Sequence, residues 1–329
     1  MAKPDLERIV VKTDRHGPFE CYIQGDKKAR HLCITWHDIG LNYTAFTKFL
    51  SHPDMAHIVT KMCFVHINAP GQEPDAGSLP DDHQYASIDH LAEEVDPVLN
   101  ALGFSEDTGI VGLGEGAGAS ILLRYTIHNP RRVLGLCLLE CNANPSSFLE
   151  WSQEKVAAWQ LTTRGMNPTT EKFLLWHHFG SETKDKKDLV HEFHENLYKR
   201  MNAHNLSKYI QVYMNRSDVS HKVKDIKTPI LLVTGTVSPH VKEVEKLFYS
   251  LPDKRNTTLL KAEDVGGSIM DENPRKLAES FLLFLQGMGL VASVPMTRLA
   301  RSSSVGEGSP GSPPKGDLSK NRSASMDQP

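Results

Sequence analysis

Short apolar runs alternate with amphipathic segments over most of the chain. Runs typical of strands lie at residues 7–13, 18–24, 30–36, 61–67, 109–115, 133–139, 228–235 and 256–261. Segments with helical spacing of apolar residues lie at 87–102, 241–251 and 274–286. A turn ending in Gly17 separates the first two runs and predicts a β-hairpin. Strands that then alternate with helices predict an α/β fold with a mostly parallel sheet flanked by helices.

Two segments depart from this alternation. Residues 145–227 read as charged, histidine-rich helices, which predicts a helical cap insertion. Residues 293–329 are rich in Ser, Gly and Pro with few large apolar side chains, so they cannot bury enough surface to offset the entropy of ordering. We therefore predict a core of residues 7–144 and 228–292, a cap at 145–227 and a disordered tail at 293–329.

Composition narrows the class of protein. The net charge of -3 over 329 residues gives no global attraction to nucleic acid. The five cysteines lack metal-type spacing and three lie in strand-like runs, which favours buried free thiols in a reducing compartment. No apolar run approaches the ~20 residues of a membrane span. The composition predicts a soluble cytoplasmic protein without a transmembrane segment or a nucleic-acid partner.

The glycine-dense stretch at residues 109–120 ends one strand and opens a helix. A Gly-x-Ser-x-Gly motif at such a turn carries the nucleophile of α/β-hydrolases, and counting from Gly112 puts Gly114 at the nucleophile position. The loops expected to supply the acid and the histidine offer Ser238 and Gly267 instead. Three positions without catalytic side chains predict that the chain is not a triad enzyme.

A substitute set of groups lies nearby in the predicted sheet. His37 and Asp38 occupy the expected oxyanion turn, Glu115 follows Gly114, and Glu140 ends the next strand. One of them could activate a water, and all could line a cleft. We interpret Glu115 instead as the cap of the helix that follows the turn, and His37 and Asp38 as residues that fix loops.

Two cofactor hypotheses are weaker. Gly112-x-Gly114-x-x-Ala117, with Glu140 further on, satisfies a relaxed dinucleotide fingerprint, but at least two strand–helix units precede it. His191 and His194 are three residues apart, which would place them on one face of a helix as possible metal ligands, and His177 and His178 lie nearby in the sequence. Among so many Lys and Glu residues we interpret these histidines as surface groups, and we predict neither a metal nor another cofactor.

Serines in the tail match the patterns that kinases recognise. Ser304 and Ser325 each follow an arginine by three residues, and Ser309 and Ser312 precede prolines. Exposed serines in a disordered segment are accessible phosphoacceptors, and each phosphate adds about -1.5 to -2 charge. A serine-rich linker would have the same composition, so both interpretations stay open.

Five motifs together resemble the N-myc downstream-regulated protein family. They lie at residues 36–42, 68–72, 112–119, 286–289 and 296–299. The resemblance implies an α/β-hydrolase fold with a helical cap, no working triad, and a cytoplasmic adaptor role in growth control, differentiation, stress response or vesicle traffic, with phosphorylation in the tail. Family members often have Gly-Asp where this chain has Gly235-Thr236, and some carry repeated decapeptides that this tail lacks.

These observations predict a catalytically inactive intracellular adaptor or signalling protein. Its partners would be other proteins, with lipid or membrane-trafficking components as further candidates. The alternative is a small-molecule or lipid binder, or a residual hydrolase, that uses a cleft between the cap and the sheet.

Overall fold

A computed structural model describes residues 5–145, 160–163, 165–181 and 185–292. The chain up to Ala292 forms one compact unit. The predicted phosphoacceptors Ser304, Ser309, Ser312 and Ser325, together with the whole predicted tail, lie outside the described residues. The boundaries proposed for core, cap and tail therefore stay predictions.

Eight strands form one sheet in the order β1-β2-β4-β3-β5-β6-β7-β8. They are β1 (Leu6–Val11), β2 (Phe19–Gln24), β3 (His31–Trp36), β4 (Met62–Ile67), β5 (Ile110–Glu115), β6 (Val133–Leu139), β7 (Ile230–Gly235) and β8 (Thr257–Ala262). The first two strands form the predicted antiparallel hairpin, β2 also pairs antiparallel with β4, and the remaining pairs are parallel. The predicted mostly parallel sheet is confirmed.

Helices cover both faces of this sheet. They are α1 (Tyr43–Leu50), α2 (Ala56–Val59), α3 (Ile88–Glu93), α4 (Val95–Ala101), α5 (Ala117–His128), α6 (Pro168–Phe179), α7 (Lys187–Lys199), α8 (Ala203–Met214), α9 (Val241–Ser250), α10 (Ile269–Glu272) and α11 (Pro274–Gly287). Asn42 caps α1 as predicted, because its side chain accepts from the amide of Thr44. The single helix predicted at 87–102 is two helices, since Pro97 lacks the N–H that would continue the ladder.

Alternate side chains of the central strands enter two apolar clusters. In β6, Leu136 and Leu138 belong to the cluster that also contains α5, whereas Cys137 and Leu139 belong to the one that contains α11. This alternation is the two-residue period of a strand covered on both faces. All five cysteines are free and buried, as the sequence predicted.

The carboxyl ends of the parallel strands meet at one edge of the sheet. The turns after β3, β5, β6, β7 and β8 are therefore brought together there, and α6 packs its last turn against them. Ligand and catalytic sites of α/β sheets lie at this edge. Among the helices of the described ranges, none is long and apolar enough to cross a membrane.

Candidate functional site

The sharp turn between β5 and α5 is centred on Gly116, not on Gly114. Gly116 has φ 50° and ψ -109°, a conformation that strains any residue with a side chain. Gly114 lies inside β5, paired with Trp36 on one side and Leu138 on the other. The nucleophile position of a hydrolase turn therefore corresponds to Gly116. The prediction of Gly114 was wrong by two residues, because the run of alternating glycines fits the motif in two registers.

The carboxylate of Asp38 occupies the space that a nucleophile side chain would need. A Cβ built on Gly116 would overlap this carboxylate. Its Oδ1 accepts from the backbone N–H of Ile39 at 2.7 Å and of Ala117 at 2.8 Å. Hydrolases use an N–H after the nucleophile and one from the β3 turn to bind the oxyanion. In this chain an internal carboxylate holds both of these donors.

His177, from the last turn of α6, holds the other oxygen of Asp38. Its Nε2 donates to Asp38 Oδ2 at 2.8 Å, and its Nδ1 is hydrogen-bonded to His240 Nε2 at 3.2 Å. Burial opposes ionisation of Asp38, but the charge and hydrogen bond of His177 outweigh it and lower the pKa of the carboxyl. Because both ring nitrogens of His177 are engaged, neither is free to accept a proton from a nucleophile.

The interpretation of the cap histidines as surface groups was wrong for two of the four. His177 and His178 are each 2% exposed, and His178 Nε2 donates to the Ile39 carbonyl at 2.9 Å. The other two behave as predicted, since His191 is exposed and His194 is half-buried beside Glu171. The charged residues that suggested a solvated face belong to α7, whereas α6 turns its C-terminal end into the core.

The loop after β8 has no room for a catalytic histidine. A Cβ on Gly267 would lie 2.9 Å from the carbonyl oxygen of His178 and 3.0 Å from that of His177. The last turn of α6 thus stands against the position from which a catalytic histidine would reach the nucleophile. Restoring that side chain would require the cap helix to move.

Glu140 supplies the carboxyl that the β7 loop lacks. Its side chain accepts from Thr234 Oγ1 at 2.9 Å, from Ser238 Oγ at 2.8 Å and from the N–H of Gly235 at 3.1 Å. Burial raises the pKa of Glu140 to about 8, although these hydrogen bonds act in the opposite direction. Ser238, predicted to stand at the acid position, is a hydrogen-bond donor to an acid from the neighbouring strand.

His37 fixes two loops, as the sequence suggested. Its Nδ1–H donates to the Asp38 carbonyl at 2.8 Å, and its Nε2 accepts from the N–H of Ala69 at 3.0 Å. The hydroxyl of Tyr209 donates to the His37 carbonyl at 3.1 Å. Burial lowers the pKa of His37 to about 4, so the ring is neutral at physiological pH and structural in role.

Glu115 does not cap α5, because Asp38 has that role. The Glu115 side chain is buried, and neither of its oxygens has a hydrogen-bond partner among the residues that the structure describes. Burial, and then the negative charge of Asp38, raise the pKa of Glu115 well above its ordinary value. The residue is therefore an unpaired carboxyl whose neutral form burial favours. A glutamate next to a glycine turn gives no sign of this in the sequence.

Replacing Glu115 by methionine should raise the free energy of unfolding, measured in metal-free buffer, by about 1–3 kcal/mol, the usual cost of an unpaired buried polar group. The unfolded carboxyl ionises near 4.5, whereas the folded one stays protonated to higher pH, so Glu115 lowers stability increasingly as pH rises above that value. The gain of the Glu115→Met variant should therefore grow between pH 5 and 8 in urea unfolding. Glu263→Met, at an exposed site, is the control; an equal gain there would contradict the prediction.

The predicted cleft residues are all buried at this centre. A neighbouring pocket of about 310 Å³ lies between α1 and α7, and its wall includes Asn42, Lys48, Phe193 and Asp271. None of His37, Asp38, Gly114, Glu115 and Glu140 contributes to that wall.

The structure also removes the support for the dinucleotide hypothesis. Gly112 and Gly114 lie within the strand, and the first amide of α5 is bonded to Asp38.

The fold and this centre define a class of protein: an α/β-hydrolase fold whose nucleophile, acid and histidine positions carry other groups. An esterase from Thermogutta terrifontis is similar with a TM-score of 0.70 and 14% identity, over 86% of this chain and 99% of that one. MenH from S. aureus is similar with a TM-score of 0.67 and 14% identity, over 82% and 98%. These likenesses show the fold.

The family follows from the sequence comparisons. The sequence model of the Ndr family matches residues 9–292. Xenopus laevis protein NDRG3 is 37% identical over 86% of this chain and 76% of its own, and human protein NDRG2 is 36% identical over 84% and 73%. A Caenorhabditis elegans protein, ZK1073.1, is 32% identical over 92% of this chain and 91% of its own. The chain belongs to the Ndr family.

Proposed function

We propose that this chain is a non-catalytic α/β-hydrolase-fold protein that acts in the cytoplasm as an adaptor or signalling protein through contacts with other proteins. The observation that carries the proposal is the carboxylate of Asp38 in the space of the missing nucleophile. It holds the two backbone donors of the oxyanion turn at 2.7 and 2.8 Å. A substrate carbonyl would have to displace a buried, ion-paired carboxylate to reach them.

Other groups near the turn do not supply an alternative mechanism. A general base must reach a water with an unoccupied lone pair. Both nitrogens of His37 and both of His177 are already hydrogen-bonded, and burial opposes the ionised form of Glu115 that a general base requires. Glu140 has three donors on its two oxygens. Residual hydrolysis would need this network to open.

The expected result in hydrolase assays is no saturable turnover of esters, thioesters, lactones or epoxides by the wild-type protein. The Gly116→Ser variant should also be inactive, because its hydroxyl would meet Asp38 and the ring nitrogens of His37 and His177 are already hydrogen-bonded. An active esterase of the same fold serves as positive control. Turnover that follows protein concentration and is abolished by His37→Gln or Glu115→Gln would refute the proposal.

The adaptor role would be tuned through the tail, where Ser304, Ser309, Ser312 and Ser325 are the proposed phosphoacceptors. Phosphorylation there would add negative charge to a chain of net charge -3 and so change its contacts. Intact mass measurement of protein isolated from cells, compared with the variant carrying alanine at all four serines, tests this point. An unmodified wild-type mass under all growth conditions would count against it.

A further inference from the structure

Three buried side chains that could bind a metal converge beneath the cap. One carboxylate oxygen of Asp38 and one nitrogen each of His177 and His178 lie within 4.8 Å of one another. We propose that this cluster, together with Glu115, binds one zinc ion that fastens the cap helix α6 to the turns of the core. We call Asp38, Glu115, His177 and His178 the zinc cluster.

The donor set is one that zinc prefers. Zinc accepts imidazole and carboxylate ligands in tetrahedral geometry, with bonds of about 2.0–2.2 Å, which puts ligand atoms a little over 3 Å apart. Asp38 Oδ2 and His177 Nε2 are 2.8 Å apart, so a small separation of the two would admit the ion between them. The rings of His177 and His178 have centroids 5.0 Å apart and planes at 86°, so their nitrogens converge without stacking.

The unpaired carboxyl of Glu115 is a second, independent observation. Buried polar groups almost always have partners, and an orphaned one calls for a ligand, an ion or a functional role. Glu115 directly precedes Gly116, where an added Cβ would overlap the Asp38 carboxylate, so its backbone is next to the cluster, although its carboxyl is not among the groups within 4.8 Å of one another. As the fourth ligand, Glu115 would close the coordination sphere with protein groups. A closed sphere is typical of a structural rather than a catalytic zinc site.

Charge balance favours the ion as well. Two ionised carboxylates and Zn²⁺ sum to zero, so the buried site would carry no net charge. Binding would release the proton of Glu115 to solvent. The Nε2 proton of His177 would also be released to solvent, which would leave a neutral ring whose Nδ1–H donates to His240 Nε2, 3.2 Å away. His178 Nε2 donates to the Ile39 carbonyl, so the lone pair that the ion would use is on Nδ1 of this ring.

The groups around the zinc cluster are arranged like a second coordination shell. Asp38 Oδ1 is oriented by the amides of Ile39 and Ala117, and His177 by His240. Such partners fix ligand geometry, and their loss typically costs 10–100-fold in metal affinity. The ion would join α6 to the turn after β3 and to the end of β5. The same residues without an ion would form only a hydrogen-bonded contact between these elements.

The test uses the full chain purified without a histidine tag, stripped with a chelator and titrated with ZnCl₂ against a chromophoric competitor. We expect one tightly bound zinc per chain and a higher melting temperature in the loaded protein. His178→Gln and Glu115→Gln should weaken binding at least ~100-fold, and His240→Gln by about 10–100-fold. The double variant His191→Gln/His194→Gln, on the exposed face of the cap, should leave affinity unchanged.

Zinc binding that is unaffected by His178→Gln and Glu115→Gln, or that disappears only in the double variant of exposed histidines, would overturn the proposal. The absence of tight zinc binding would also overturn the proposal, because the residues would then form only a hydrogen-bonded contact. Should the buried variants fail to fold, Co²⁺ substitution of the unmutated protein decides. Intense visible absorption typical of tetrahedral Co²⁺ supports the site, and the weak spectrum of an octahedral ion contradicts it.

Discussion

Replacement of Asp38 by alanine is expected to lower the free energy of unfolding by about 3–5 kcal/mol, the usual cost of removing one partner from a buried ion pair. The side chain is 3% exposed and holds His177, the amide of Ile39 and the first amide of α5. Each of these donors would lose its acceptor in a region without solvent. Urea unfolding followed by circular dichroism, at neutral pH and in metal-free buffer, measures the change.

Two variants separate this effect from a general loss of charge. Glu93→Ala removes an exposed carboxylate that pairs with Arg15, and should change stability by less than about 1 kcal/mol. Asp38→Asn keeps the volume and one acceptor oxygen, so its loss should be smaller than that of Asp38→Ala. If Asp38→Ala and Glu93→Ala have equal effects, Asp38 does not organise the centre as described.

Gly116→Ala should also be severe and should lower the free energy of unfolding by about 3 kcal/mol or more. A side chain is strained at φ 50° and ψ -109°, and its Cβ would overlap the carboxylate of Asp38. The control is Gly103→Ala. Gly103 also has a positive φ, of 89°, but a Cβ there would meet nothing within 4 Å. In that variant the free energy of unfolding should fall by only about 1–2 kcal/mol, the cost of placing a side chain at a positive φ.

A double-mutant cycle then isolates the collision itself. Because Asp38→Ala removes the overlapping carboxylate, Gly116→Ala should cost less in that background than in the wild type. Neighbouring groups of this kind show coupling energies of about 0.5–3 kcal/mol. Strict additivity of the two substitutions would show that their side chains do not compete for the same space.

The centre of this protein differs from an active site that has merely lost its reactive groups. Asp38 presents an anion to the donors that would bind the oxyanion of a reaction intermediate, and His177 neutralises it from the cap. The two backbone donors of the turn are therefore present but occupied by an internal carboxylate. We therefore expect that one substitution, such as Gly116→Ser, does not create hydrolysis, because the anion and the cap helix would also have to change.

The errors of the sequence reasoning have physical causes that can be named. Gly114 and Gly116 are equivalent in a motif of alternating glycines, and only backbone dihedral angles distinguish them. His177 and His178 lie in a segment surrounded by charges, and their burial depends on where α6 ends against the core. Glu115 was assigned to the helix cap, but the competing acceptor Asp38 comes from a turn 79 residues away along the chain.

The sequence by itself determined the strands, most of the helices and the fold class, and it predicted the lack of a catalytic triad. These follow from local periods of apolar residues and from side chains that are absent from the relevant loops. Only the tertiary structure decided what occupies the centre. The contact between Asp38 and His177 joins residues 139 apart, and the Glu140–Ser238 contact joins residues 98 apart. No local pattern records such pairs, because each side chain acquires its partner only when the strand ends and the cap meet.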